Sequence, residues 1–112
     1  PIDLDRIRIT SDGDREFERE LLQLYVTDAR QRLSAIPHFL AAGDAKNIRA
    51  AAHTIKGSSG NIGARAVHEL AAKLEQDATV GDLSKVSSHV QSIREGIDAV
   101  EQFISSGDMD AS

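Results

Sequence analysis

The residues best suited to chemistry in this sequence are His53, Lys56 and Gly57. In a helix successive residues turn by about 100°, so Lys56 and Gly57, at the third and fourth positions after His53, lie beside its imidazole. The same helix carries an apolar stripe away from the histidine: Ile48, Ala52, Ile55 and Ser59. An exposed histidine with a cation beside it and no side chain above it suits an approaching anion such as a phosphoryl group.

The other three histidines lack such a setting. His38 has no acidic or basic neighbour at close helical spacing, and His89 lies among serines. His68 is followed by Glu69, but Ala72 breaks the His-Glu-x-x-His pattern of zinc proteases. All three are therefore predicted to be ordinary surface histidines.

The glycine-rich stretch 57–63 does not form a nucleotide-binding motif. No Gly-Lys-Ser/Thr follows it and no strand precedes it, so the P-loop and dinucleotide patterns both fail. Neither ATP binding nor a metal site is expected on this chain.

Residues on both sides of His53 extend the motif over several helices. They are Gly43-Asp44-x-x-x-Ile48-Arg49-x-x-Ala52-His53-x-x-Lys56-Gly57-Ser58-Ser59, then Gly63-Ala64 and Leu74-Glu75. This pattern resembles the histidine-containing phosphotransfer (HPt) domain of two-component phosphorelays. The resemblance extends from about Asp14 to Ile104, which is nearly the whole chain.

The resemblance implies a relay carrier without autokinase activity. His53 would accept a phosphoryl group from a receiver-domain aspartate and pass it to another. Glu75 would accept from Nδ1–H of His53 and leave Nε2 free to attack. Lys56 would neutralise the phosphoryl oxygens, Gly57 would give the partner access, and Arg49 would be a weaker electrostatic helper. The expected partners are receiver domains, with a hybrid sensor kinase as a further candidate. No cofactor is expected here, and any Mg²⁺ would belong to the receiver.

Two alternatives remain open at this point. The chain could be the phosphotransfer module of a chemotaxis-type histidine kinase, phosphorylated by an ATP-binding domain elsewhere. It could also be a non-catalytic helical adaptor that binds a partner helix through Phe17, Leu21 and Leu24. The particular relay, the direction of phosphate flow and whether the domain stands alone do not follow from the sequence.

Composition narrows the class of protein. The chain has 112 residues, 40% of them hydrophobic but only 4% aromatic, which suits one domain with an aliphatic helical core. The formal net charge of −5 argues against nucleic acid as a partner. No apolar run is long enough to span a membrane, and no signal-peptide pattern opens the sequence. A cytoplasmic monomer is expected.

The apolar periodicity predicts an all-α fold, an antiparallel four-helix bundle with a short extra N-terminal helix. The long helices are expected over 14–42, 45–59, 64–78 and 83–104. Gly60, Asn61 and Gly63 are expected to end the second helix, and Asp82 to cap the start of the fourth. Pro37 predicts a kink in the first of them. The whole of 1–112 is expected to be one domain, with its core at about 14–104 and a frayed tail over 105–112.

The first half of the long helix has two apolar stripes, and the predicted N-terminal helix is short. We therefore expect Phe17 or Leu21 to pack under that short helix. Four other side chains are expected to stay partly exposed near His53 and to receive an apolar helix of a receiver domain: Leu4, Ile7, Leu24 and Tyr25.

Overall fold

The computed structural model describes residues 2–3, 5–7 and 14–106, and within these ranges the ordered elements are all helical. Residues 5–7 form a helical turn. The four long helices are α1 (Arg15–Ala41), α2 (Ala45–Ile62), α3 (Arg65–Thr79) and α4 (Val86–Ser106). The predicted all-α fold is confirmed.

The helices form a bundle in which each one packs against two others. α1 contacts α2 and α4, and α3 contacts α2 and α4, so the four helices surround one core. Since α1, α2 and α3 are joined by short connections, neighbouring helices in the chain run antiparallel. Their shared interior holds aliphatic side chains buried without measurable exposure, among them Leu22, Ile36, Ile48, Ile55, Leu74, Ile93 and Ile97.

Capping aspartates and a left-handed glycine mark the ends of α1 and α2. Asp14 and Asp44 cap α1 and α2, each carboxylate accepting from the backbone N–H three residues on at 3.1 Å. The end of α2 differs from the prediction, because the helix continues through Gly60 and Asn61. Of the three residues predicted to end the helix, Gly63 is the one that adopts the left-handed conformation, with φ of +80°, and terminates it.

The start of α4 also differs from the prediction. Asp82 accepts from the N–H of Ser84, two residues on, at 3.0 Å. This contact forms a turn instead of a helix cap, so α4 begins at Val86 and not at Leu83. In α1, the helix continues through Pro37, and a kink there remains a prediction.

The N-terminal segment packs over the turn between α2 and α3. The N–H of Asp3 donates to the carbonyl of Gly63 at 2.7 Å, and the Asp3 carboxylate pairs with Arg65 at 3.0 Å. Ile7 is fully buried in the core. The prediction that Ile7 stays partly exposed for docking is therefore wrong, because this side chain helps to close the core.

Candidate functional site

His53 lies on the exposed side of α2, with 67% of its side chain accessible. Its Nδ1 is 2.8 Å from Oε2 of Glu75 on α3. Because an ionised carboxylate can only accept, Nδ1 carries the proton and donates. The Nε2 lone pair is then the reactive one, and no residue in the described ranges bonds to it.

Glu75 serves two partners at once. Its other oxygen, Oε1, is 2.5 Å from Nζ of Lys56. The hydrogen bond from Lys56 is the main cause that lowers the pKa of Glu75 from its ordinary value, and the bond from His53 adds to it, while partial burial opposes both. Glu75 is therefore ionised at neutral pH and holds both side chains in place.

Gly57 leaves the surface beside His53 open. A Cβ built on this residue would meet no atom within 4 Å, although Gly57 lies in the middle of α2. Glycine costs a helix about 1 kcal/mol relative to alanine. Packing within the domain does not account for that cost, since the space above Gly57 is empty.

A buried polar contact fixes α2 against α1. The hydroxyl of Tyr25 and Oγ of Ser59 are 2.7 Å apart, and burial raises the pKa of Tyr25 to about 12. Only 5% of Tyr25 is exposed. Tyr25 is therefore not part of an exposed docking patch, contrary to the prediction, because its ring fills the interior and its hydroxyl finds a partner there.

His68 fixes α2 from the side of α3. Its Nδ1 lies 2.8 Å from the carbonyl oxygen of Lys56, which can only accept, so Nδ1–H donates. Gly60 makes room for the ring, because a Cβ there would be 3.1 Å from Nδ1. This contact was not predicted, because no motif in the sequence signals it.

Two of the three other histidines are not ordinary surface residues. His68 is half-buried, and so is His89, whose Nε2 lies 3.0 Å from Oδ2 of Asp77. Each therefore has one ring nitrogen engaged in linking two helices. His38 is exposed, as predicted. His53 alone combines high exposure with a carboxylate on Nδ1.

The apolar surface of α1 differs in part from the predicted docking patch. Leu24 is 68% exposed and Phe17 is also exposed, whereas Leu21 is partly buried against the core. Leu4 lies outside the described residues. With Ile7 and Tyr25 in the core, Phe17, Leu21 and Leu24 form what we call the α1 patch.

The remaining features of the site concern charge and metal binding. Arg49, one turn before His53, is exposed, and its side chain makes no ion pair within the described ranges. No group of three histidine or acidic side chains in those ranges is placed to hold a metal ion. None of the described helices is long and apolar enough to cross a membrane.

Comparisons with known proteins agree with this architecture. The chain is 30% identical over 95 residues to the phosphorelay intermediate protein rdeA of Dictyostelium discoideum. The match covers 85% of this chain but 37% of that relative, so the chain spans little more than a third of its length.

The crystal structure of histidine-containing phosphotransfer protein B (HptB) from Pseudomonas aeruginosa PAO1 has the same fold. Its TM-score is 0.87 and its identity 24%, over 99% of this chain and 96% of that one. The sequence model of the Hpt domain matches residues 20–103. Since that match takes in most of the chain, this protein belongs to the Hpt domain family.

Proposed function

We propose that this domain is a phosphorelay carrier that accepts a phosphoryl group on His53 from one receiver-domain aspartate and passes it to another. The observation that carries the proposal is the exposed imidazole whose Nδ1 is held by Glu75 at 2.8 Å. Membership of the Hpt domain family supports it, as do the names of the similar proteins from Dictyostelium and Pseudomonas.

The transfer step requires a neutral imidazole with its lone pair on Nε2. Nε2 of His53 attacks the phosphorus of the aspartyl phosphate, an N–P bond forms, and the P–O bond to the aspartate breaks to release a carboxylate. The positive charge that develops on the ring is stabilised by Glu75, which accepts from Nδ1–H throughout. In the return step a receiver carboxylate attacks phosphorus and the N–P bond breaks.

Lys56 and Gly57 support the step in different ways. The Nζ of Lys56 is held on Glu75 beside His53, from where it can turn to the phosphoryl oxygens as a mobile point charge. Gly57 leaves open the space through which the receiver's loops approach. Arg49 adds a weaker positive field that favours the approach of the anionic partner and is not part of the bond-making step.

Further properties of the carrier are part of the same proposal. The domain acts without autokinase activity or a cofactor of its own, and any Mg²⁺ needed is held by the receiver. It works in the cytoplasm as a monomer, with receiver domains and a hybrid sensor kinase as partners. The α1 patch receives an apolar helix of the receiver.

Labelling by a phosphorylated receiver domain tests the proposal. The wild-type domain should acquire an acid-labile, base-stable phosphoryl group, and His53→Gln should acquire none. His38→Gln is the matched control, because it changes another exposed histidine on a different helix and should label normally. Label retained by His53→Gln would refute the assignment.

A second labelling experiment separates the carrier from the kinase module. An isolated ATP-binding kinase domain, supplied with ATP and no receiver, should leave the domain unlabelled. Labelling under these conditions would favour the chemotaxis-type alternative. A domain that binds receivers but takes no label from either donor would be an adaptor.

A further inference from the structure

The charges of this protein are unevenly distributed among its helices. The chain as a whole has a formal net charge of −5, yet the 18 residues of α2 include no acidic side chain. The three charged residues of α2 are all cations: Lys46, Arg49 and Lys56. The helix that carries His53 is thus a positive strip on an acidic molecule.

The three cations share the face of α2 that carries His53. At about 100° per residue, Lys46 lies within about 20° of His53 around the helix and Arg49 within about 40°. At about 1.5 Å per residue, they lie about 10 Å and 6 Å from it along the axis. Lys46 is thus one of the reactive face's cations, although the proposed transfer step does not use it.

Lys56 differs from the other two in its partner. Its Nζ is engaged by Glu75 at 2.5 Å, whereas the side chains of Lys46 and Arg49 are exposed and form no ion pair within the described ranges. The nearby carboxylate of Asp44 is engaged by Asn47, through the backbone N–H and the side-chain amide. The charges of Lys46 and Arg49 therefore project into solvent.

Several cations elsewhere on the surface are neutralised locally. Arg30 bonds to Asp98 and Glu101, Arg32 to Asp28, and Arg65 to Asp3. Long-range attraction needs charges that a neighbouring carboxylate does not cancel. Lys46 and Arg49 meet that condition on the reactive face.

We propose that Lys46 and Arg49 form a steering pair that draws the acidic surface of a receiver domain onto the His53 face of α2. This inference rests on the proposed function, which makes the partner's reacting group an aspartate and hence the approaching surface anionic. The two cations act on encounter, whereas Glu75 orients the imidazole of His53 and Lys56 neutralises the phosphoryl oxygens once the group has arrived. Lys46 and Arg49 are therefore positioning residues that touch no reacting atom.

This division of roles predicts a specific kinetic signature. Steering by exposed charges changes the association rate and is screened by salt, whereas the step within the complex is not affected. Removing the pair should lower the second-order rate of transfer at low salt. The rate at saturating receiver should stay as it is.

The test measures single-turnover transfer from a receiver domain phosphorylated with acetyl phosphate, over a range of receiver concentrations. It is run at about 0.01 M and about 1 M salt, where the screening lengths are about 30 Å and 3 Å. The steering-pair double variant Lys46→Gln/Arg49→Gln is compared with Lys73→Gln/Lys85→Gln. The control removes the same net charge from exposed cations, on α3 and on the connection to α4.

We expect the steering-pair variant to lose about three- to tenfold in second-order rate at low salt, and nothing at high salt. The control should lose less than half as much. Equal losses in the two variants, or a loss that persists at about 1 M salt, would overturn the inference. Failure of the wild-type domain to take any label would instead overturn the proposed function.

Discussion

At the residue scale, the shared carboxylate of Glu75 is the part of the site most open to test. The Glu75→Gln side chain has one acceptor oxygen for two donors, Nδ1–H of His53 and Nζ of Lys56. Its NH₂ group would face whichever of these donors the oxygen does not serve. We expect transfer to His53 to slow by roughly tenfold, because the imidazole loses the partner that fixes its tautomer. The measurement is the single-turnover rate at saturating phosphorylated receiver.

The same substitution should change the pH dependence of stability. The folded-state pKa of Glu75 lies below its ordinary value of 4.5, mainly because of Lys56 and then His53. Its contribution is thus fully present above about pH 4.5 and is lost as pH falls through the lowered pKa. Urea unfolding should show wild type about 1 kcal/mol more stable than Glu75→Gln at pH 7, with a smaller difference near pH 3.

Glu69→Gln is the matched control for that measurement. Glu69 is an exposed glutamate on the same helix, and no bond to its side chain is found in the described ranges. Its replacement should leave both the transfer rate and the unfolding free energy nearly unchanged. An equal loss in both variants would show that removing a negative charge from α3, and not breaking the contacts of Glu75, lowers the transfer rate and the unfolding free energy.

At this scale the sequence showed which residues could form the site and how they are spaced, but not every contact between side chains on different helices. The family motif was enough to predict the roles of His53, Lys56 and Glu75 and the hydrogen bond that His53 donates to Glu75. The ion pair that holds Lys56 on Glu75 could not, because it depends on the distance between two helix faces. The bond from His68 to the Lys56 carbonyl was missed for the same reason.

At the element scale, two mid-helix glycines should respond to alanine in opposite ways. A Cβ on Gly57 meets nothing, so Gly57→Ala should raise the unfolding free energy by up to about 1 kcal/mol. A Cβ on Gly96 of α4 would lie 2.7 Å from Cγ2 of Val67, which is buried in α3. Because a helical valine has essentially one rotamer, Gly96→Ala should lower stability by about 1 to 2 kcal/mol despite the gain in propensity.

Thermal and urea unfolding of the two alanine variants measure this difference. A further substitution, Gly57→Gln, should fold normally yet block transfer, because its side chain occupies the space beside His53. Normal transfer by Gly57→Gln would show that access is not the reason for this glycine. Gly96→Ala at wild-type stability would show that α3 and α4 can separate without cost.

The helix boundaries show what local pattern can and cannot specify. The strong apolar periodicity of α1 and α3 fixed their spans to within a residue or so. The end of α2 was placed too early because glycine and asparagine permit termination without requiring it, and Ile62 still packs in the core. The start of α4 was placed too early because Asp82 can form either a cap or a turn.

At the scale of the whole molecule, the hardest feature to predict was which apolar side chains of the N-terminal segment and of the first half of α1 stay exposed. An apolar stripe shows which side chains seek cover, but the element that covers them can come from distant sequence. Ile7 is buried in the core, and the buried hydroxyl of Tyr25 bonds to Ser59 on another helix. Neither side chain is therefore exposed for docking, contrary to the prediction. Leu24 kept its predicted exposure because the described elements leave it uncovered.

Leu24 therefore provides the test of where a receiver docks. It belongs to the α1 patch, and the contact between Tyr25 and Ser59 places this part of α1 beside the C-terminal half of α2. Leu24→Ala should weaken receiver binding by about 1 kcal/mol or more if the receiver buries this side chain, because truncating a side chain in the well-packed part of an interface costs at least that much. The melting temperature should barely change, since 68% of the side chain is already exposed.

Val80→Ala is the comparison, because Val80 is a similarly exposed apolar side chain on the connection between α3 and α4, away from the α1 patch. Binding of a receiver domain can be followed by titration calorimetry, with wild-type affinity expected in the micromolar range, about −8 kcal/mol. If the receiver covers the α1 patch, Leu24→Ala loses affinity and Val80→Ala does not. The reverse result would move the docking surface to the α3–α4 end of the bundle. Equal small losses would mean that neither side chain lies under the partner, and the positive face of α2 would then have to supply the contact by itself.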